Sequence, residues 1–309
     1  VVAFISDGYE ACGDFESPCP RTGYRILDPD DGFEVVEEYT FPVRSKTNSE
    51  THAVDPLPDG GFALVDMDRE RLLVVEDGEV AWEWSASSFY EAPPDPTRVD
   101  WLHMNDVEYL GENRFMVSVR NANQIVIVER GEGVVEVINR DDDDDGRLRG
   151  DPDVIHQQHN PQWLGDGAVL VADSENHRVV ELHRTADGWE PAWVLTGAAG
   201  EAFDWPRDAD RLPGGATLVT DTRNARLLLV DEAGATLAVH RFDYRTLPYE
   251  ADVPGGEPVG GPRYAVSNES TAPAASPDVV TPRELPVLTP ALRALSAAVR
   301  LPRWFGEFH

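Results

Sequence analysis

Histidine is scarce in this chain of 309 residues, yet four of its eight histidines fall where strands are expected to begin. These four are His52, His103, His156 and His159. A neutral imidazole can bind a metal ion, exchange protons or attack an electrophile through nitrogen. The clustering favours a functional group of histidines, and a structural lining of a channel is the alternative interpretation.

Four segments of the chain align with one another, and this internal repeat decides the expected fold. The aligned segments begin at His52, Asn105, His159 and Arg207. Five residues later each segment has a leucine: Leu57, Leu110, Leu164 and Leu212, at steps of 53, 54 and 48 residues. His52 and His159 therefore occupy the same position of the repeat.

Each repeat is typical of four short antiparallel strands joined by turns rich in Gly and Asp. The first strand reaches the leucine, and apolar runs such as 62–65 and 72–75 supply the second and third strands. Fourth strands are expected at 80–84, 134–138, 191–195 and 236–242. Four strands per repeat predict an all-β protein, a β-propeller. Strand-like runs at 1–5, 23–27 and 34–41 predict another blade or strands that close the ring, so six blades are favoured and five are the alternative.

The propeller geometry brings blade entrances and second turns together. The first strand of each blade lines the central channel, and the turn between the second and third strands returns to the same face because neighbouring strands are antiparallel. Nine residues after the leucine, three repeats have acids that suit turn-capping hydrogen bonds. These acids are Asp66, Asp173 and Asp221.

The second repeat departs from this pattern. It has Val119 in place of the acid and Arg120 at the next position. An arginine at a funnel mouth is suited to forked, bidentate capture of an oxyanion. A surface ion pair is the alternative interpretation. No Asp or Glu accompanies the histidines in a recognised metal spacing, so no metal and no cofactor are predicted, and the acidic run 141–145 favours a solvated loop over a calcium site.

The composition is strongly acidic, with 26 basic and 57 acidic side chains and a formal net charge of −31. Such a surface argues against nucleic acid and anionic membranes as partners. Lys46 is the only lysine. Acidity with so little lysine favours a halophilic source. At about 1 M salt the Debye length is about 3 Å, so the repulsion among the acidic side chains of the protein is largely screened.

The two cysteines, Cys12 and Cys19, lie seven residues apart and predict a disulfide, since two thiols alone make a poor zinc site. A disulfide favours an oxidising compartment, and hence an extracellular or cell-surface location. No apolar run reaches the roughly 18 residues of a membrane helix, so the chain is expected to be soluble. Upstream targeting residues are expected to lie outside this sequence.

Three regions follow from composition: a propeller at 1–249, a Pro- and Gly-rich linker or arm at 250–281, and a basic amphipathic helix and tail at 282–309. Leu292, Leu295 and Val299 have helical spacing within the last region. Basic amphipathic helices bind membrane surfaces, and this one could equally dock on the acidic propeller. Both interpretations stay open.

At the blade-entrance histidines and Arg120 the chain resembles the arylsulfate sulfotransferases, the PAPS-independent propeller enzymes. It resembles their halophilic archaeal branch in particular. The segment 101–121, WLHMNDVEYLGENRFMVSVRN, resembles the family's Trp-Leu-His-x-Asn segment and its later Ser-x-Arg. Gln158-His159 matches the Gln-His that begins a later blade, and Thr51-His52 matches an earlier entrance. The likeness covers roughly residues 24–245.

The resemblance implies a six-bladed enzyme that moves a sulfuryl group from an aryl sulfate to a phenol through a sulfated histidine. His159 would be that nucleophile, while His52, His103 and Arg120 would hold the sulfate oxygens and handle the phenolic proton. Asn105 and His156 would bind substrate. Blade segments such as ADSENHRVVEL also resemble NHL repeats. A non-catalytic binding or structural propeller is therefore the alternative function.

Overall fold

The computed structural model describes residues 1–140, 149–165, 167–242, 246–253 and 260–264. The acidic run 141–145, the amphipathic helix expected within 282–309 and most of the expected linker at 250–281 lie outside the described residues.

Antiparallel sheets of consecutive strands make up the described chain. The N-terminal sheet has three strands: β1 (Val2–Tyr9), β2 (Cys19–Asp28) and β3 (Glu34–Pro42). Blade A contains β4 (Val54–Pro56), β5 (Phe62–Asp66), β6 (Arg71–Glu76) and β7 (Glu79–Ser85). Blade B contains β8 (Met104–Gly111), β9 (Arg114–Val119), β10 (Gln124–Glu129) and β11 (Gly133–Ile138).

Two further four-stranded sheets follow. Blade C contains β12 (His159–Gly165), β13 (Ala168–Asp173), β14 (Arg178–Thr185) and β15 (Gly188–Leu195). A short hairpin of β16 (Gly197–Ala198) and β17 (Glu201–Ala202) comes next. Blade D contains β18 (Pro206–Arg211), β19 (Thr217–Asp221), β20 (Arg226–Val230) and β21 (Thr236–Arg241). Three single-turn 3₁₀ helices, Ala86–Ser88, Pro96–Arg98 and Arg120–Ala122, lie in the connections.

The prediction of an all-β propeller is confirmed, because each repeat forms one antiparallel meander in the order of the chain. The described residues contain five such blades, counting the N-terminal sheet, so the favoured number of six is wrong for this part of the chain. The strands before Leu57 pair with one another and form their own sheet. They are therefore a blade rather than additional strands of another blade.

The second and third strands of blades A to D are buried along most of their length, which explains why most of their residues are apolar. In blade A, Leu64 and Leu73 pack against the N-terminal sheet, whereas their neighbours such as Val65 pack against blade B. Separate apolar clusters join blade B to blade C and blade C to blade D. Alternate side chains of a strand point to opposite faces, so a strand between two neighbours needs apolar residues at every position.

The shared leucines lie at the end of the first strand, Leu110 and Leu164 within it and Leu57 and Leu212 directly after it. The Leu57 amide donates to the Gly61 carbonyl, and the Leu212 amide donates to the Ala216 carbonyl. Their burial differs, however, and of the four only Leu164 is buried. Gly260 lies against Leu164, where the segment 260–264 covers the turn of blade C. The four leucines, although aligned in the repeat, therefore do not share one degree of burial.

Asp66 caps its second turn, as predicted, because it accepts from the Arg69 amide. Asp173 and Asp221 accept instead from the side chains of Asn176 and Asn224 in their turns. Each of the three acids also pairs with an arginine five residues later. The three pairs are Asp66–Arg71, Asp173–Arg178 and Asp221–Arg226, each with an N–O distance of 2.6 Å. Blade B has Val119 and Gln124 at the same two positions, and the Gln124 side chain accepts from the Tyr90 hydroxyl. The repeat therefore accepts either a charged or an uncharged pair, provided that both members match.

The predicted disulfide between Cys12 and Cys19 is confirmed, with the two Cα atoms 5.7 Å apart. It closes the connection between β1 and β2. No helix in the part of the chain that the structure describes is long and apolar enough to cross a membrane.

The buried pair of blade D predicts a stability experiment. Both side chains of Asp221 and Arg226 are fully buried. Asp221→Val alone should destabilise the protein by about 3–5 kcal/mol, because it removes the buried partner of the guanidinium and leaves it only the half-exposed Glu201. The double variant with Asp221→Val and Arg226→Gln installs the pair of blade B and should recover part of that loss. Denaturant unfolding at high salt measures both; a double variant no more stable than the single one would contradict the pairing rule.

Candidate functional site

The first strands bring one residue of every repeat to the same end of the channel. Five residues before the leucine these are His52, Asn105, His159 and Arg207. The pairing of first and second strands shifts register between Met104 and Asp106 and between Pro206 and Asp208. A bulge of this kind re-aims the extra residue and is common beside active sites. Asn105 and Arg207 are these extra residues.

Unusual backbone geometry recurs in three blades, two residues before Asn105, His159 and Arg207. His103, Gln157 and Trp205 share one repeat position and have φ angles of 52°, 47° and 58°. Non-glycine residues in this left-handed region store strain of about 1 kcal/mol or more, which folded proteins retain mostly at functional sites. At the blade B entrance, Glu70 accepts from the amides of Leu102 and His103 at 2.9 and 2.6 Å, which fixes the left-handed turn.

We define the channel mouth by His52, His103, Arg120, His159, Arg207 and Tyr249. The His52 ring lies 5.6 Å from that of His103 and 5.3 Å from that of Tyr249. The His159 ring lies 5.8 Å from the Tyr249 ring and meets it nearly edge-on. The convergence of His52, His103 and His159 that the repeat predicted is therefore present.

The His159 ring is held by one hydrogen bond that also sets its tautomer. His159 Nδ1 lies 2.8 Å from Ser174 Oγ, in the second turn of the same blade. The Ser174 hydroxyl donates its single proton to the Pro206 carbonyl at 2.7 Å. Oγ must then accept from Nδ1–H, which leaves Nε2 with its lone pair. Burial, and next the charges of Arg207 and Arg120, hold the His159 pKa well below its usual value, so the ring is neutral.

His103 forms a second polar pair in the mouth. Its Nδ1 lies 2.7 Å from Asp100 Oδ1. Burial acts to raise the pKa of Asp100, but the hydrogen bond and charge of His103 outweigh it and hold this pKa below its usual value. Asp100 is therefore a carboxylate that accepts from Nδ1–H and directs the other ring nitrogen away from itself. His52 differs, because burial and then the charges of His103 and Arg207 lower its pKa to about 3.

Two arginines of the mouth have no carboxylate partner among the described residues. Arg120 donates to the side-chain oxygens of Asn121 and Gln157, each at 3.0 Å. Arg207 stacks between rings, with Cζ 3.8 Å from the centroid of Trp205 and 4.8 Å from that of Tyr249. The Nε atoms of both arginines are buried without a hydrogen-bond partner in the described structure. A buried guanidinium is ordinarily paired, so this arrangement is suited to an anionic ligand.

Asn105 and His156 differ in their relation to the mouth. The Asn105 side chain is fully buried, donates to the Gln158 carbonyl at 2.9 Å, and keeps Oδ1 without a partner in the described structure. His156 is held through its backbone, whose amide donates to Asp173. Its ring makes no hydrogen bond or ring contact with another described residue. His159, rather than His156, is therefore the histidine that the mouth encloses.

Sequence prediction missed Ser174, Arg207 and Tyr249. Arg207 had a visible signal, since it occupies the repeat position of His52 and His159. Ser174 had a weaker one, because it shares the repeat position of Arg120. Tyr249 lies in the segment 246–253, which follows the last blade and has no counterpart in the repeat. The Ala251 amide of this segment donates to Asp208 at 3.0 Å, which ties the segment to the first strand of blade D.

Farther along the first strands lies a cavity of about 260 Å³ lined by acids. The lining carboxyl groups are those of Asp55, Asp106, Glu108, Asp208, Asp210, Glu250 and Asp252. Burial raises the pKa of Asp55 to about 6, and burial with the charge of Asp252 raises that of Asp210 to about 7. These groups hold protons that ordinary surface acids release. No described group of three His, Cys, Asp or Glu side chains has the geometry of a metal site.

No protein-family model and no curated protein matches the sequence of this chain. Among solved structures, it is similar to a protein of unknown function from Bacteroides caccae, with a TM-score of 0.52 and 13% identity over 75% of this chain and 81% of that one. A streptogramin B lyase gives a TM-score of 0.44 and 11% identity over 78% of this chain. The WD40 β-propeller domain of Doa1 gives 0.44 and 11% over 71% of this chain and 60% of that one.

The chain spans 59% of the length of the streptogramin B lyase. At such identities the similarity concerns the fold alone. Enzymes and other proteins share this architecture, so the function must be argued from the site.

The acidic cavity predicts how stability changes with pH. The folded-state pKa of Asp210 lies above the ordinary value for aspartate, so the native state holds an extra proton. The stabilisation from this proton on Asp210 is complete below about pH 4 and is lost as the pH rises through about 7. Asp210→Asn should therefore gain stability relative to the unmodified protein between about pH 5 and pH 8.

Thermal unfolding at both pH values measures this difference. Asp187→Asn is the control, because Asp187 is exposed in the outer hairpin of blade C. An Asp210→Asn variant whose relative stability stays flat or falls over this range would contradict the prediction.

Proposed function

We propose that the channel mouth transfers a sulfuryl group from an aryl sulfate to a phenolic acceptor through a covalent intermediate on His159. The observation that carries this proposal is a neutral, tautomer-fixed imidazole beside two guanidinium groups without carboxylate partners. The resemblance of residues 101–121 to the arylsulfate sulfotransferases supports the same assignment. An extracellular or cell-surface location in a halophile belongs to this proposal, and the disulfide is consistent with it.

The charge of the mouth favours an anionic substrate. Acidic side chains outnumber basic ones by 57 to 26 in this chain, so two neighbouring arginines that form no ion pair with a described carboxylate are unexpected. Arg120 and Arg207 both lower the pKa of His159 through their charge, which means that they act on the same ring. A sulfuryl group bound beside His159 would receive hydrogen bonds and charge compensation from them.

The imidazole supplies the nucleophile. In the first half-reaction, Nε2 of His159 attacks sulfur, the N–S bond forms, and the S–O bond to the aryl group breaks. The aryl oxygen leaves with the electron pair. The ring is neutral and its Nδ1–H donates to Ser174, so the lone pair that attacks is the one on Nε2. Splitting one transfer into two steps in this way is the usual advantage of a covalent intermediate.

The second half-reaction needs a base for the acceptor phenol. The pair of His103 and Asp100 is suited to this role, because the carboxylate stabilises the imidazolium that forms when His103 accepts the phenolic proton. The phenolate oxygen then attacks sulfur, the N–S bond breaks, and His159 regains its lone pair. His52 has a pKa of about 3 and stays neutral, so it lines the site and can donate one hydrogen bond to the substrate. Asn105, whose Oδ1 is unpaired, is placed to bind substrate.

The nucleophile is tested by comparing two histidines of one blade entrance. His159→Asn should abolish phenol release from an aryl sulfate, since asparagine cannot form the intermediate. His156→Asn should keep most of the activity, because its ring makes no hydrogen bond or ring contact with the residues of the mouth. The assay uses a phenol acceptor at high salt. Equal activity in the two variants would refute the assignment, and a wild-type protein that binds aryl sulfates without turnover would favour the binding-module alternative.

The role of Arg120 is tested by charge removal. Arg120→Gln should lower kcat/KM for an aryl sulfate by about 10²–10³-fold, the usual cost of removing one donor that stabilises developing charge. Arg98→Gln is the control, since it removes the same charge from an exposed position that pairs with Asp95. If the two variants lose the same small factor, Arg120 does not contact the transferred group.

A further inference from the structure

We propose that Arg207 forms a second anion-binding position in the channel mouth, so that the preferred substrates are aryl sulfates or phenols whose ring carries a carboxylate. This inference rests on the proposed function and deepens it by naming the substrate class. It depends on where Arg207 lies, on what holds it there, and on the charge that it adds.

Arg207 and Arg120 approach His159 from different blades. Arg120 belongs to the second turn of blade B, where it donates to Gln157 at 3.0 Å. Arg207 lies at the bulge in the first strand of blade D. His159 begins the first strand of blade C, the blade between them. A sulfuryl group on His159 that binds Arg120 would therefore have Arg207 on the side of blade D.

Aromatic rings surround Arg207 and define the space beside it. Its Cζ lies 3.8 Å from the Trp205 centroid and 4.8 Å from the Tyr249 centroid. The His159 ring meets the same two rings nearly edge-on, at interplanar angles of 75° and 77°. The aryl group of a substrate bound at His159 would thus lie among aromatic faces, with a guanidinium within reach of its far substituents.

The local pairing of Arg207, rather than the total charge of the mouth, calls for a second negative group. The Asp100 carboxylate is hydrogen-bonded to His103 and interacts with Arg120. Arg207 interacts with Glu50 through charge but has no carboxylate within ion-pair distance among the described residues. Burial lowers the pKa of Arg207, but a guanidinium stays protonated in proteins. Its Nε–H is buried without a partner in the described structure, and a planar carboxylate can bind the edge of a guanidinium through two parallel hydrogen bonds.

Arg223 provides a matched control on the same ring. Its Cζ lies 4.3 Å from the Trp205 centroid, and its Nη1 lies 3.7 Å from an oxygen of Asp204. Arg223 therefore shares the stacking of Arg207 but has a carboxylate beside it. Arg223→Gln removes one charge near the mouth without removing the proposed carboxylate site.

The first experiment compares 4-carboxyphenyl sulfate with phenyl sulfate as donors at high salt. The unmodified protein should prefer the carboxylated donor by about tenfold to a hundredfold in kcat/KM, the range expected for a paired charged hydrogen bond. Arg207→Gln should remove this preference, while Arg223→Gln should keep it. Equal loss on both donors in Arg207→Gln would overturn the inference, because both arginines would then bind the one sulfuryl group.

The second experiment needs no turnover and separates the two proposals. Calorimetry compares the binding of 4-sulfobenzoate with that of benzenesulfonate, which lacks the carboxylate. Tighter binding of 4-sulfobenzoate that disappears in Arg207→Gln would support the second position even if no donor were turned over. Equal affinity for the two ligands would overturn it, even in a protein that proves to be a sulfotransferase.

Discussion

The hydrogen bond from His159 Nδ1 to Ser174 Oγ is the interaction on which the rest of the site depends. It joins the first strand of blade C to the second turn of the same blade. The Ser174 hydroxyl in turn donates a hydrogen bond to the Pro206 carbonyl of blade D. One hydroxyl thereby fixes a ring orientation, a tautomer and the seam between two blades. Without this acceptor, burial alone would leave the imidazole neutral but would not decide which nitrogen faces the substrate.

The channel separates charge along its length. Guanidinium groups lie at the mouth, whereas seven carboxyl groups surround the cavity farther along the first strands. Positions five, four and two residues before the leucine supply Arg207, Asp208 and Asp210 in blade D. The bulge at Arg207 allows adjacent residues of one strand to serve these two regions. Two arginines at the mouth of a chain of net charge −31 would favour the approach of an anion to this end of the channel.

The repeat made most of the fold predictable. Spacing and apolar periodicity predicted the strands of four blades, and the cysteine pair predicted the disulfide. The mouth was predictable where residues recur, as His52 and His159 do. Tyr249 was not, because it lies in a segment that follows the blades and is brought to the mouth by tertiary contacts alone. The repeat also could not predict the number of blades, because β1 to β3 lack the aligned pattern that marks blades A to D.

The covalent step is tested most directly by the chemical state of His159 during turnover. The protein would be mixed with an aryl sulfate in the absence of acceptor, quenched in alkali, digested and examined by mass spectrometry. The account predicts a mass increase of one SO₃ group on the peptide that carries His159, assigned to that ring by fragmentation and removed when a phenol is added before the quench. Phenol release from the donor without sulfation of any histidine, or sulfation of His156 or His103 instead, would contradict it.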